Sequence, residues 1–149
     1  MPNVIELVES FEDEDYIYIV MKFEPAGNLG RYLRKQPLLP LNEEHLKKIF
    51  RQIASGVQTL HNQNIVHRDI KLGNIVMSDL SENACCRIID FGVAFKLSDK
   101  HGTSNTQIGT IGYIAPEVYL AQPYSFSIDI WSLGTLMHVL ASGELPFSG

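Results

Sequence analysis

The chain has 149 residues, of which 45% are hydrophobic and 19% charged, and its formal net charge is −5. These values are ordinary for a globular chain with one core, and the acidic balance with scattered Lys and Arg argues against a nucleic-acid-binding surface. The apolar runs are too short to span a membrane and the N-terminus is acidic, so we predict no membrane segment. The adjacent Cys85 and Cys86 are poorly placed to cross-link distant segments, which indicates an intracellular location, cytoplasmic or nuclear.

Two β-rich stretches open the chain. Residues 4–11 and 16–22 flank the acidic segment 12–15, which has the composition of a turn. Together they predict a β-hairpin.

Two helices are predicted next. Residues 28–36 form a short helix candidate that Pro37 and Pro40 would stop. Asn42 is a good N-cap for the second helix, because acidic residues follow it and apolar residues then recur at helical spacing to about Asn62.

The residues with the most chemistry follow this helix. Ile65 to Asn74 reads I-V-H-R-D-I-K-L-G-N, and Asp90 begins the tripeptide D-F-G further on. Asp69 can orient an attacking hydroxyl, and Lys71 can lie against a phosphate as a cation. Asn74 and Asp90 supply the oxygen ligands that Mg²⁺ prefers. These residue types predict phosphoryl transfer.

The spacing of two short strands supports this grouping. Residues 75–77 and 86–89 are strand-like and flank a polar turn at 78–84. A hairpin of this kind would hold Asn74 and Asp90 near each other.

The last part of the chain contains a loop and a helix. Residues 93–114 are rich in Ser, Thr and Gly and predict a loop. Residues 127–142 predict an apolar helix that is buried on most sides and ends at Gly143. Asp129 lies within this helix and needs a polar partner.

Four motifs in this order resemble those of eukaryotic protein kinases. His67 to Asn74 is similar to the catalytic loop of that family, and Asp90-Phe91-Gly92 to its magnesium loop. The match continues through Ala115-Pro116-Glu117 and residues 129–134. The resemblance implies an α+β, protein-kinase-like fold in which residues 1–22 belong to the small lobe, 23–27 to the hinge and 28–149 to the N-terminal part of the large lobe.

The resemblance also assigns catalytic roles. It implies that Asp69 is the catalytic base, that Lys71 contacts the transferred phosphate, and that Asn74 and Asp90 bind Mg²⁺ beside ATP. Lys71 at two residues after Asp69 resembles the serine/threonine class, so the expected substrate is a protein Ser or Thr hydroxyl.

By the same resemblance a nucleotide pocket lies at the hinge. Met21 is expected to be the gatekeeper, while the Lys22 carbonyl and the Glu24 backbone bond the adenine edge. Val76 is expected beneath the adenine ring, and Asn28 lines the pocket just after the hinge.

Regulatory and structural residues follow from the resemblance as well. Residues 93–114 correspond to the activation segment, in which Thr106 is expected to carry a phosphate that pairs with Arg68, and Thr110 to touch Asp69. The structural residues are His67, Phe91, Gly92, Glu117, expected to be buried, and Asp129, expected to accept backbone N–H groups around His67 and Arg68.

The printed sequence matches only part of the family's domain. No G-x-G-x-x-G precedes Met21, and neither the lysine that holds the α- and β-phosphates nor the helix that pairs with it is present. We therefore expect an incomplete kinase domain, either the central part of a serine/threonine kinase or a catalytically inactive half-domain that acts as an interaction or regulatory module. The upstream coding sequence would distinguish the two.

Overall fold

The structure is a computed structural model that describes residues 1–35, 41–98 and 102–147. The chain combines short strands with helices, which confirms the predicted α+β class. The strands are β1 (Leu7–Glu12), β2 (Ile17–Met21), β3 (Ile65–Val66), β4 (Ile75–Met77), β5 (Cys86–Ile88) and β6 (Phe95–Lys96). The helices are α1 (Leu29–Arg34), α2 (Glu43–Asn62), α3 (Pro116–Tyr119) and α4 (Ser127–Ser142), with a 3-10 turn at Leu72–Asn74.

The predicted N-terminal hairpin is present as the antiparallel pair β1 and β2. Its turn is held by Asp13, whose Oδ1 accepts the N–H groups of Asp15 at 2.9 Å and Tyr16 at 2.8 Å. The hairpin begins later than predicted, because Val4 instead forms a parallel bridge with Ile88 of β5. That bridge ties the start of the chain to β5.

Helix α2 has the predicted bounds because its signals are local. The Asn42 side chain accepts the N–H of His45 at 2.8 Å, which satisfies an otherwise unpaired donor of the first turn. The apolar stripe is buried in the core, with Ile49, Ile53 and Leu60 each at most 2% exposed.

Gly56 lets α2 approach the N-terminal segment. A Cβ atom at this position would lie 2.7 Å from the Asn3 carbonyl oxygen and 2.8 Å from Cδ1 of Ile88. The Asn3 carbonyl also accepts the N–H of Ile88 at 2.9 Å. Helix, N-terminal segment and β5 therefore meet at a point where no side chain fits.

Helix α1 begins as predicted, because the Asn28 side chain accepts the N–H of Arg31 at 2.9 Å. The predicted end at Gln36 and the helix-breaking Pro37 and Pro40 lie outside the described residues.

Helix α4 ends at Gly143, whose φ of 83° is the left-handed conformation that favours glycine. The expectation that this helix is buried on most sides is wrong. One side is buried, but Ile130 is 56% and Met137 41% exposed, because no described element covers that side. Across the described residues, no helix has the length and apolar character needed to cross a membrane.

Candidate active site

Four predicted site residues form one hydrogen-bonded cluster around Asp69. Its Oδ1 accepts the Thr110 hydroxyl at 2.6 Å, and its Oδ2 lies 2.7 Å from the Lys71 ammonium. Lys71 also donates to the Thr110 hydroxyl oxygen at 2.7 Å. Asn74 donates its amide to both Oδ2 and the main-chain carbonyl of Asp69, at 2.8 and 2.9 Å. The cluster brings together a carboxylate, a cation, a hydroxyl and an amide.

The surroundings of Asp69 determine its ionisation. Burial is the largest single influence and raises the pKa of Asp69, but the hydrogen bond and charge of Lys71 and the hydrogen bonds of Thr110 and Asn74 outweigh it. The pKa of Asp69 therefore lies below its ordinary value, and the side chain is an anion at neutral pH. It is suited to accept a hydrogen bond from a hydroxyl and orient it.

Asp129 fixes the backbone that carries this cluster. It is fully buried, and its two oxygens accept the N–H groups of His67 and Arg68, each at 2.9 Å. Both hydrogen bonds were expected. They support a strained main chain, since Arg68 has a φ of 69°, which is uncommon for a residue with a side chain.

His61 is a further partner of Asp129 that the sequence analysis did not identify. Its Nε2 lies 2.8 Å from Oδ2 of Asp129, across 68 residues of sequence. Its position in the last turn of α2, just before the catalytic loop, is the only local signal that it carries.

His67 connects the catalytic loop to the segment before Asp90. It is fully buried, and burial is the main reason why its pKa is lowered, so the imidazole is neutral. Its Nε2–H can donate to the Ile89 carbonyl at 3.0 Å while Nδ1 accepts the Asp69 N–H at 3.2 Å. Phe91 packs edge-on against the ring at 5.2 Å.

Asn74 and Asp90 lie on adjacent segments, joined by the hydrogen bond from the Ile89 N–H to the Asn74 carbonyl at 2.9 Å. Asn74 donates through its amide nitrogen, and its side-chain oxygen makes no hydrogen bond to any described residue. Asp90 is exposed, and its Oδ1 accepts the Gly92 N–H at 3.2 Å. One amide oxygen and one carboxylate fit Mg²⁺, which takes few protein ligands beside substrate phosphates.

The predicted hinge, residues 23–27, presents main-chain groups of the kind that bind a flat heterocycle. Within the described residues, neither the Lys22 carbonyl nor the Glu24 N–H makes a backbone hydrogen bond, whereas the Glu24 carbonyl accepts the Gly27 N–H at 3.2 Å. Val76 of β4 pairs with Asn28 in an antiparallel bridge, which places both next to the hinge. Met21, at the end of β2, is 43% exposed.

An ion pair that was not predicted connects the predicted hinge to β5. The Arg87 guanidinium of β5 lies 2.6 Å from the Glu24 carboxylate, whose side chain is only 4% exposed. Arg87 lies opposite Val76 in the β4–β5 register, so this contact joins the hinge to the strands beneath the predicted adenine pocket.

Arg68 contacts the start of the predicted activation segment and Tyr124, which follows that segment. Its Nε donates to the Val93 carbonyl, its Nη1 lies 3.2 Å from the Tyr124 hydroxyl, and its guanidinium lies 5.5 Å from the centre of the Phe95 ring. Thr106 is exposed, and its carbonyl accepts the Tyr124 hydroxyl at 2.7 Å. Tyr124 was not predicted, because no local pattern marks it.

Glu117 differs from its expected environment. It is only partly buried, and its carboxylate accepts the Ser127 hydroxyl at 3.2 Å. The expectation of a buried carboxylate is therefore wrong, since a serine and solvent satisfy the group.

Comparison with known proteins agrees with this arrangement. Residues 1–149 match the family described as Protein kinase domain. The chain belongs to the protein kinase family. It is 39% identical over 146 residues to the serine/threonine-protein kinase PLK4 of Nematostella vectensis and 35% identical over 148 residues to the cell cycle serine/threonine-protein kinase CDC5/MSD2 of Saccharomyces cerevisiae. It is 34% identical over 147 residues to the calcium/calmodulin-dependent protein kinase type 1 of Macrobrachium nipponense.

These relatives are much longer than the region that matches. Each alignment covers 98% of this chain, but only 14% of the PLK4 relative, 20% of CDC5/MSD2 and 41% of the calmodulin-dependent kinase. The chain therefore spans less than half the length of each of these relatives.

Proposed function

We propose that this chain supplies the catalytic and magnesium-binding loops of a protein serine/threonine kinase, which transfers the γ-phosphoryl group of ATP to a Ser or Thr hydroxyl. The observation that carries this proposal is the cluster of Asp69, Lys71, Thr110 and Asn74. Lys71, Thr110 and Asn74 each lie within hydrogen-bonding distance of the Asp69 carboxylate, and Lys71 also donates to Thr110.

The geometry supports a role for Asp69 in orienting the attacking hydroxyl. Phosphoryl transfer has a loose transition state, so positioning and charge neutralisation contribute more than proton abstraction. A carboxylate with a lowered pKa is a weak base but a strong hydrogen-bond acceptor. Thr110 demonstrates that an aliphatic hydroxyl can reach Asp69 while Lys71 contacts the same oxygen atom of that hydroxyl.

Lys71 would provide the positive charge beside the transferred phosphate. Its ammonium is shared between Asp69 and Thr110 and is partly exposed, so it can turn toward a phosphate oxygen without breaking a buried contact. Asn74 and Asp90 would hold Mg²⁺, which when bound neutralises negative charge on the phosphate oxygens. The hinge groups at Lys22 and Glu24 would orient the adenine edge.

Nucleotide binding by the purified 149-residue chain tests the site directly. Methylanthraniloyl-ADP is a suitable probe because its fluorescence reports binding without catalysis. We expect saturable binding that Mg²⁺ strengthens, and we expect Asp90→Asn to remove the Mg²⁺ effect. The exposed Asp79→Asn is the matched control and should leave binding unchanged. Absence of saturable binding in the wild-type chain would contradict the proposed nucleotide site.

We expect the 149-residue chain alone to transfer phosphate negligibly. The printed sequence has no glycine-rich loop and no lysine for the α- and β-phosphates, so the triphosphate would be poorly positioned. Transfer of radiolabel from ATP measures this, with Asp69→Asn as the comparison. Efficient transfer by the wild-type chain that Asp69→Asn abolishes would contradict the expectation and show that the site is complete.

Thr106 is the residue that we propose as the regulatory phosphorylation site. Its main chain is already connected to Arg68 through Tyr124, and its side chain is exposed and accessible to a kinase. In an active longer form, Thr106→Ala should lower activity, whereas Ser98→Ala should not. Equal activity of Thr106→Ala and the unsubstituted protein would refute the assignment.

A further inference from the structure

Tyr124 is a buried tyrosine with polar contacts on both its main chain and its side chain. It lies between α3 and α4 and is 3% exposed. Its main-chain N–H donates to the Ser104 carbonyl at 2.8 Å, and its carbonyl accepts the Ser104 N–H at 2.9 Å. Its hydroxyl donates to the Thr106 carbonyl at 2.7 Å. Residues 104–106, which we call the latch segment, are therefore held by one tyrosine.

The other partner of the Tyr124 hydroxyl is Arg68. The Nη1 of Arg68 donates to this hydroxyl at 3.2 Å, so the hydroxyl is both an acceptor and a donor. The same guanidinium bonds the Val93 carbonyl and lies over Phe95. The start of the predicted activation segment thus contacts this guanidinium directly, and Tyr124 connects Thr106 to it.

Arg68 is a firm anchor for these contacts. Its main-chain N–H is held by the buried Asp129, which fixes its left-handed backbone beside Asp69. A segment that is attached to Arg68 is therefore also positioned relative to the candidate active site.

The chemistry of this contact is that of a phosphate site in which neutral oxygens take the place of the phosphate. A phosphate orders a segment by offering strong acceptor oxygens to an arginine. Here the acceptors of Arg68 are the Val93 carbonyl and the Tyr124 hydroxyl, both of which are neutral. Neutral acceptors form weaker hydrogen bonds than charged ones, so they can hold the segment without excluding a stronger ligand.

We propose that Tyr124 is a positioning residue that holds the latch segment on Arg68 while Thr106 is unphosphorylated. A phosphate on Thr106 would then strengthen an existing attachment instead of creating one. The inference deepens the proposed function and rests on it, because it describes the regulation of the segment next to Asp69.

A specific consequence is that the two attachments are partly redundant. Tyr124 and a phosphate on Thr106 would both act through Arg68, so each should matter most when the other is missing. Their effects on the order of the latch segment should not be additive.

Hydrogen exchange of the 149-residue chain tests this in four samples. They are the wild type and Tyr124→Phe, each with threonine or genetically encoded phosphothreonine at position 106. We expect Tyr124→Phe to speed exchange of the Ser104 amide about tenfold, the factor that corresponds to one hydrogen bond of ordinary strength. Phosphothreonine should return exchange in Tyr124→Phe to within about threefold of wild type, and should change the wild type by less than about threefold.

Tyr119→Phe is the matched control, because Tyr119 is 75% exposed and its hydroxyl bonds no described residue. It should leave the Ser104 amide unchanged. Amides of α2 report global unfolding, so a variant that is merely destabilised would exchange faster there too and would not be rescued by phosphothreonine. Unchanged exchange in Tyr124→Phe, faster exchange that phosphothreonine fails to rescue, or an equal phosphate effect in both backgrounds would overturn the proposal.

Binding of methylanthraniloyl-ADP to the same samples separates the two proposals. If Tyr124→Phe speeds exchange of the Ser104 amide as expected but no nucleotide binds, the proposed function is contradicted and the proposed role of Tyr124 stands. Intact nucleotide binding with no Tyr124 effect overturns the inference alone.

Discussion

The N-terminal hairpin is richer in apolar residues than helix α2 but exposes them, whereas α2 buries most of its own. Every residue of β1 and β2 is exposed, including Ile17 at 73% and Val8 at 63%. In α2 most apolar side chains are buried, and Ile53 is fully so. Burying one such side chain contributes about 1.5–3 kcal/mol, so the two regions differ greatly in their share of the stability.

The hairpin is held together mainly by its own local contacts. Its strands share main-chain hydrogen bonds, and Phe11 stacks on Tyr18 with 4.9 Å between the ring centres. An aromatic pair of this kind contributes about 0.5–1.5 kcal/mol, and an isolated two-stranded hairpin is marginal in water. The comparison indicates that regular hydrogen bonding defines an element, whereas burial against a partner determines how firmly that element is held.

The largest expected effect is the loss of stability when Asp129 is replaced. We compare Asp129 with Asp13, because each of the two aspartates accepts three hydrogen bonds. Asp129 accepts from His67, Arg68 and His61 in the core, whereas Asp13 accepts from Asp15, Tyr16 and Tyr18 on the surface. Asp129→Ala should lower the free energy of unfolding by about 3–5 kcal/mol, because it leaves buried donors unpaired.

Urea unfolding followed by Trp131 fluorescence measures this effect. Asp13→Ala is the control, and its urea midpoint should stay unchanged, since water replaces the lost acceptor. Equal losses in the two variants would show that the hairpin turn supports the fold as much as the buried aspartate does.

A smaller effect is expected at two helical glycines. Gly56→Ala should destabilise the chain by about 1–3 kcal/mol, because its new Cβ would clash with the Asn3 carbonyl and Ile88, where the hairpin is anchored. Gly134→Ala has open space around the new Cβ and should stabilise α4 by about 0.5–1 kcal/mol. Thermal unfolding measures both changes in stability, and a Gly56→Ala chain as stable as the wild type would contradict the described packing at Gly56.

The smallest expected effect is on the pH dependence of Asp69. Its folded pKa lies below the ordinary value of 3.8, so its contribution to stability is present above that value and is lost as pH falls through the folded pKa. Lys71→Met should raise the pKa of Asp69, because burial then acts with less opposition. The stabilisation that Asp69 contributes should consequently be smaller in the variant, and its loss should be complete at a higher pH.

Carbon-13 NMR titration of the side-chain carboxyl groups of Asp69 and Asp13 measures this change in pKa. Asp13 is the internal control, because hydrogen bonds from Asp15, Tyr18 and Tyr16 lower its pKa and do not involve Lys71. A Lys71→Met chain in which Asp69 titrates as in the wild type would show that Lys71 does not hold the carboxylate in its ionised form.

The features that could be predicted from sequence are those with local causes. Helix α2 was predicted because the Asn42 cap and the apolar period lie within the helix itself. The pairing of Asp129 with the catalytic loop was expected from the family resemblance, since no local pattern connects residues 62 positions apart. His61, Tyr124 and the Glu24–Arg87 pair were missed because their partners are distant in sequence. The exposure of Ile130 was missed because the apolar character of a helix does not specify what covers it.

The attachment of the N-terminal segment to β5 has a consequence for synthesis of the chain. The side chain of Asn3 donates to the Cys86 carbonyl at 3.0 Å across 83 residues of sequence. A ribosome adds roughly 5–20 residues per second, so Asn3, which anchors the hairpin, is made roughly 4–17 s before Cys86 of the strand on which it docks. During that interval the apolar side chains and both strand edges of the hairpin are exposed to other chains, so aggregation competes with docking. The time needed to translate the segment between Asn3 and Cys86 therefore sets how long the nascent chain is at risk.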